Sequence, residues 1–231
     1  MSDPFPVVFA VYPGVTQLDF TGPHEVLSRL PGARCIVAST LGGSITTEGG
    51  LSFGDIQRLE QVGDCALLCV PGGQGTVEAM GDAVFLQQLR RLAGSARYVS
   101  SVCTGSLLLG AAGLLRGRRA ACHWAWRDAL KEFGALPDPA RVVRDGNVFT
   151  GGGVTAGIDM ALTLMAEVAG EEHAKQVQLA LEYAPQPPFD CGRPEHAEAA
   201  VLAAVRARFD KSRPARQAAI RAAAARMVEP T

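Results

Sequence analysis

Short, uninterrupted apolar runs recur along this chain, and helix-forming stretches separate them. Pro6-Val7-Val8-Phe9-Ala10-Val11-Tyr12, Arg34 to Thr40, Cys65-Ala66-Leu67-Leu68-Cys69-Val70 and Arg97-Tyr98-Val99-Ser100-Ser101-Val102 each read as a strand. The first and third are apolar throughout rather than alternating, which marks strands buried on both faces. Helices are expected over His24 to Leu30, over Ala83 to Ala93 behind an Asp82 cap, over Thr104 to Leu115, over Thr155 to Val168 and over Glu171 to Tyr183. Trp124 to Phe133 also has a helical pattern, whereas Leu18 to Pro23 reads as a turn. Residues 42–55, and the strands flanking Asp145-Gly146-Asn147, read as hairpins. Strands alternating with helices demand a mostly parallel sheet covered on both faces.

The 231 residues, 48% of them hydrophobic and 19% charged, can bury a large core without covalent staples. One α/β sandwich domain over 1–231 is expected, with a C-terminal helical extension at about 195–228. That extension is rich in Ala and Arg. Its apolar stripe of Val201, Leu202, Val205 and Phe209 must pack on its own domain or on a partner subunit, while its charged face reads as solvated. A net charge of −1 leaves no global basic field for nucleic acid or an anionic membrane. No apolar run reaches the roughly 18 residues of a membrane span. The first residues have neither a basic start nor a cleavable apolar stretch, so the expected compartment is the cytoplasm. The six cysteines are therefore read as free thiols.

The strongest local signal is Ser100-Ser101-Val102-Cys103-Thr104-Gly105-Ser106, set between a strand and a helix. Small residues two positions either side of Cys103 permit a sharp turn that pushes its side chain outward. The helix start would favour a thiolate there, and ligands of open α/β sheets gather at the carboxyl ends of the strands. The competing reading is a small buried core cysteine. Asp19 lies just beyond the first strand. It is either a carboxyl at the same sheet edge, with a pKa raised by desolvation and able to move protons, or a cap for the helix from His24. The glycines of Pro71-Gly72-Gly73 permit close approach of the backbone. The Gly73 and Thr104 N–H groups together would make an oxyanion-type hole. Gly151-Gly152-Gly153 ahead of a helix offers a similar approach, without a nucleotide-binding pattern around it. Cys65 and Cys69 fit core packing. Cys122 beside His123 is a weak metal or dyad candidate, and Cys191 sits in a loop. None of the four histidines has metal-ligand spacing, and no metal or cofactor is expected.

Taken together, Leu18-Asp19-Phe20-Thr21-Gly22-Pro23, Val70-Pro71-Gly72-Gly73, Ser101-Val102-Cys103-Thr104-Gly105-Ser106, Ala121-Cys122-His123-Trp124 and Thr150-Gly151-Gly152-Gly153-Val154-Thr155-Ala156-Gly157 resemble the DJ-1/PfpI superfamily. Within it they most resemble the isocyanide hydratases. The resemblance runs from the first strand to Leu181-Glu182-Tyr183-Ala184-Pro185 and extends to the basic C-terminal helix. It implies a flavodoxin-like α/β sandwich, a homodimer, and conversion of an isocyanide and water to an N-substituted formamide through a cysteine thioimidate. It carries the nucleophile onto Cys103 and the proton carrier onto Asp19, with Thr104 beside the sulfur. Gly72, Gly73, Gly152 and Val154 are expected to line the substrate site. Peptidase-like members place His after the cysteine; Thr104 stands there instead, which argues against a Cys–His protease. Other cysteine chemistries on this fold stay open, such as glyoxalase-like or amide hydrolysis, as does a ligand- or redox-sensing domain. A related group of AraC-type regulators shares several of these segments. The stretch after the last helix pair is too short for two helix-turn-helix units, so a DNA-binding regulator is disfavoured.

Overall fold

The computed structural model describes residues 3–227. In chain order the elements are β1 (Phe5–Ala10), α1 (Gln17–Leu27), β2 (Ala33–Ser39), β3 (Gly43–Thr46), β4 (Ser52–Arg58), β5 (Leu67–Val70), α2 (Thr76–Gly81), α3 (Ala83–Ser95), β6 (Tyr98–Val102), α4 (Gly105–Ala111), β7 (Arg119–Ala120), β8 (Leu136–Pro137), β9 (Val142–Asp145), β10 (Val148–Gly151), α5 (Ala156–Ala169), α6 (Glu171–Ala180), α7 (Ala199–Asp210) and α8 (Arg213–Arg226). The main sheet has eight strands in the order β3-β4-β2-β1-β5-β6-β10-β9. Its inner pairings are parallel, and only the outermost pairs, β3 with β4 and β9 with β10, are antiparallel. This is the flavodoxin-like sandwich that the strand–helix alternation demands.

The apolar runs are the centre of the core. Val7 to Ala10 and Leu67 to Val70 are fully buried. Apolar residues on both faces of these strands let helices pack on both sides. The register brings four strand ends level: Phe9 pairs with Cys69, Cys69 with Ser100, Val70 with Ser101, and Val102 with Gly151. The carboxyl ends of β1, β5, β6 and β10 therefore form one rim. Asp82 caps α3 as expected, its Oδ1 accepting the Phe85 N–H at 2.9 Å.

Two expectations need correction, and two gain detail. Leu18 to Pro23 is not a turn but the body of α1, with Pro23 inside the helix. Pro23 cannot donate to the carbonyl four residues back. Packing compensates, because α1 lies tightly on α5: a Cβ on Gly157 would come within 2.9 Å of Pro23 Cγ. The helix after Cys103 is shorter than its apolar pattern suggests, because Gly113 at φ +80° turns the chain away soon after Ala111. Arg127–Phe133 is 3-10 rather than α-helix, and Gly134 at φ +71° closes it. The C-terminal extension is two helices, α7 and α8, with Pro214 in the first turn of the second, where a missing N–H costs nothing. Its expected end at 228 lies just outside the described residues. The six-residue α2 was not foreseen, being too short to show a period.

Candidate active site

Cys103 stands where β6 gives way to α4. Its φ is +59°, a left-handed conformation that a residue with a Cβ adopts at a cost of about 1–3 kcal/mol. The surroundings hold it there. The Cys103 N–H donates to Gly151 O at 3.0 Å. Ser101 Oγ and Ser106 Oγ clasp each other across the turn at 2.8 Å, and Ser106 Oγ donates to Ala121 O at 2.6 Å. Gly105 is required sterically: a Cβ there would meet Val70 O at 2.1 Å.

α1 carries Asp19 to the same rim. Its side chain is fully buried, and Oδ2 accepts the Gly72 N–H at 2.9 Å. Among the described residues, Oδ1 has no hydrogen-bond partner. The Cys103 thiol nevertheless lies close enough to favour the charged carboxylate. Burial dominates and pushes the Asp19 pKa up to about 7, against smaller lowering contributions from Gly72 N–H and the thiol. Burial also drives the Cys103 thiol well above its ordinary value, and the Asp19 charge adds to this. The Thr104 N–H acts on the sulfur in the opposite sense. Burial and the Asp19 charge thus work against the thiolate that the helix start would favour. α4, whose first turn would provide that help, is only seven residues long.

The two glycines do different work from that expected. The Gly72 N–H is taken by Asp19, and the Gly73 N–H is taken by Thr104 Oγ1 at 3.0 Å. Neither is free to form an oxyanion-type hole. Thr104 Oγ1 also meets Thr76 Oγ1 at 2.9 Å, and Thr76 Oγ1 lies 3.2 Å from the Tyr12 hydroxyl, which donates to Pro71 O at 2.8 Å. The Thr104 side chain thus belongs to a buried hydroxyl network that fixes the glycine loop. Gly72 has to be glycine, because a Cβ would sit 2.5 Å from Thr104 N and 2.9 Å from Asp19 Oδ2.

Gly152 and Val154 lie in an adjoining hollow with Cys122, His123 and Trp124, whose lining does not include Cys103. Cys122 is buried, and burial pushes its thiol up to about 12. Burial, helped by the charge of Arg216, pushes His123 down to about 4, so its ring is neutral at pH 7. A larger hollow, about 850 Å³, opens beside Tyr12 and Gln74 and is likewise not lined by Cys103. Among the described residues, no group of three or more His, Cys, Asp or Glu side chains is placed to hold a metal ion. No helix among them is long and apolar enough to cross a membrane.

One charged residue near this rim was missed. Arg216 of α8 is buried, with its guanidinium 4.7 Å from the centre of the Trp126 ring. Reading the C-terminal stretch as a solvated face placed it outside. Its spacing to Ile220 and Ala223, both buried, is the signal that puts it on the inward face.

A parallel α/β sheet with a cysteine on a left-handed turn at its carboxyl rim and a buried carboxyl beside it describes a class of cysteine-dependent proteins. This chain belongs to the DJ-1/PfpI family, whose model matches residues 6–167. It is 50% identical over 200 residues to the isonitrile hydratase of Pseudomonas putida, covering 87% of this chain and 88% of that one. It is 34% identical over 176 residues to the HTH-type transcriptional regulator CdhR of Pseudomonas aeruginosa, covering 73% of this chain but 52% of the regulator. Among solved structures, that of a ThiJ/PfpI family protein from Pseudomonas syringae superimposes with a TM-score of 0.90 at 39% identity, covering 97% of this chain and 91% of that one.

Proposed function

We propose that this chain is an isocyanide hydratase, adding water to an isocyanide to give an N-substituted formamide, with Cys103 as nucleophile and Asp19 as proton carrier. The observation that carries this is the Asp19 carboxyl, buried beside the Cys103 thiol with a pKa near 7. The 50% identity to a hydratase along 87% of the chain supports the choice of substrate.

Above pH 7 the resting pair is a carboxylate and a neutral thiol. As Cys103 Sγ bonds to the terminal isocyanide carbon, its proton passes to Asp19. Asp19 returns that proton to the same carbon, which leaves an S-linked thioimidate. Water then attacks this carbon while Asp19 takes a water proton and passes it to the nitrogen. The tetrahedral adduct collapses, the C–S bond breaks, and the hydroxyl proton returns to sulfur through Asp19. The formamide departs with the elements of one water, and the enzyme is unchanged. A carboxyl poised near the working pH suits each of these transfers, and general acid–base help of this kind is worth about 10²–10⁴-fold. The steps use only water and side chains. In this reading Thr104 serves through its N–H at the sulfur, and its hydroxyl holds the glycine loop.

The proposal extends to a homodimer in the cytoplasm. Exposed apolar side chains such as Leu179 and Val201 are consistent with a partner surface. The test is formamide production from a simple alkyl isocyanide. Wild type should turn over, and Cys103→Ala should not while keeping its circular dichroism spectrum. Equal turnover by the two proteins would end the reading.

A further inference from the structure

Arg216 is 2% exposed, yet two of its nitrogens, Nε and Nη1, have no hydrogen-bond partner among the described residues. The third, Nη2, donates to Gln74 Oε1 at 3.3 Å. The Trp126 ring supports one face of the guanidinium. The acid whose charge reaches it, Glu48, is already engaged: Oε1 accepts from Thr16 Oγ1 at 2.6 Å and Oε2 from Gln74 N–H at 2.9 Å. The other groups whose charge would act on Arg216 are Tyr12, Cys103 and Cys122. Burial keeps all three neutral at pH 7.

A buried cation with no ion partner and idle N–H groups is costly to the fold. The cost is concentrated beside the reactive cysteine. Gln74, which holds Nη2, directly follows Gly73, and Gly73 is bonded to Thr104 next to Cys103. The cation is also held still, by an aromatic face on one side and an amide on another. Two idle donors held in a buried place whose field reaches the Cys103 sulfur are the ingredients of an anion receptor, and a guanidinium favours a carboxylate strongly. His123 does not compete for that role, because its ring is neutral at pH 7.

We propose that Arg216 anchors an anionic group, a carboxylate, on the substituent of the isocyanide, so that the preferred substrates are acidic isocyanides. This rests on the hydratase reading. It makes α8 part of the substrate site rather than a surface appendage.

The test compares 2-isocyanoacetate with its neutral amide, 2-isocyanoacetamide, and reads the ratio of their kcat/KM values within each protein. Wild type should favour the acid by roughly 10- to 100-fold, the worth of one or two charge-assisted hydrogen bonds. The ratio should fall to about one in Arg216→Met and recover in part in Arg216→Lys. A wild-type ratio near one, or a ratio unchanged in Arg216→Met, would overturn the proposal. Product binding to wild type gives a second reading that needs no variant. By calorimetry, N-formylglycine should bind at least about tenfold more tightly than N-formylglycinamide. Equal or weaker binding of the acid overturns the anchor even if Arg216→Met fails to fold. If wild type turns over neither isocyanide, the hydratase reading fails by itself, and the product comparison still decides the anchor.

Discussion

Replacing Asp19 by Asn should make the protein gain stability, relative to wild type, as pH rises. The Asp19 carboxyl has an ordinary value of 3.8 and is pushed up to about 7 by burial. Between those values the folded chain holds a proton that the unfolded chain has released. Stability is therefore full below about pH 4, falls as pH rises toward 7, and is flat above that. Each unit of pH in that window costs about 1.4 kcal/mol, so the whole descent comes to about 4 kcal/mol. The asparagine side chain would not titrate. Its Oδ1 can still accept the Gly72 N–H that Asp19 Oδ2 accepts at 2.9 Å. Its NH2 would enter the place of the carboxyl Oδ1, which lacks a partner, at a cost of about 1–3 kcal/mol that is the same at every pH. The fixed cost and the titrating gain separate cleanly in urea denaturation curves measured from pH 4 to pH 8. The difference in unfolding free energy, variant minus wild type, should climb by about 4 kcal/mol across that range. Two parallel stability profiles would refute the reasoning, because they would mean that the carboxyl titrates in the folded chain as it does in the unfolded one.

Three further outcomes follow from the same geometry. Isocyanide kcat/KM should rise with pH to a plateau above about 7, as Asp19 becomes a base; in Asp19→Asn it should be flat and lower by about 10²–10⁴-fold. Gly72→Ala should lose most activity and about 1–3 kcal/mol of stability, since its Cβ must displace Thr104 or Asp19; thermal melting and formamide release read both effects. Thr104→Val should leave the buried Gly73 N–H without its acceptor and cost about 1–3 kcal/mol, seen as a lower melting temperature, whereas Thr104→Ser should restore most of it.

The parallel sheet was legible because β1 and β5 are apolar on both faces, a pattern that only a doubly covered sheet satisfies. Cys103 was legible because its flanking small residues are a local necessity, now visible as the approach of Val70 O to Gly105. Asp19 was placed at the right rim for the wrong local reason: Pro23 and Gly22 signal a turn, and only tertiary packing on α5 makes that stretch helical. The pKa balance at Cys103 was not legible, because a helix start is a local feature and desolvation depends on everything stacked above the rim. Arg216 was hidden by composition. An Arg in an Ala-rich helix reads as a solvent-facing residue until its period against Ile220 and Ala223 is followed.

The antiparallel outer strands bear on whether the sheet can be extended from outside. Both rims of the sheet end in strands of only four residues, β3 and β9. The β3 ladder is further broken by a register shift between Gly43 and Ile45. On β9, Arg144 is drawn back by Glu167 at 2.7 Å, which leaves a charged side chain standing on the edge. Short, irregular and charged borders offer a poor template to an incoming strand. The sheet is therefore poorly suited to extension by a strand from another molecule.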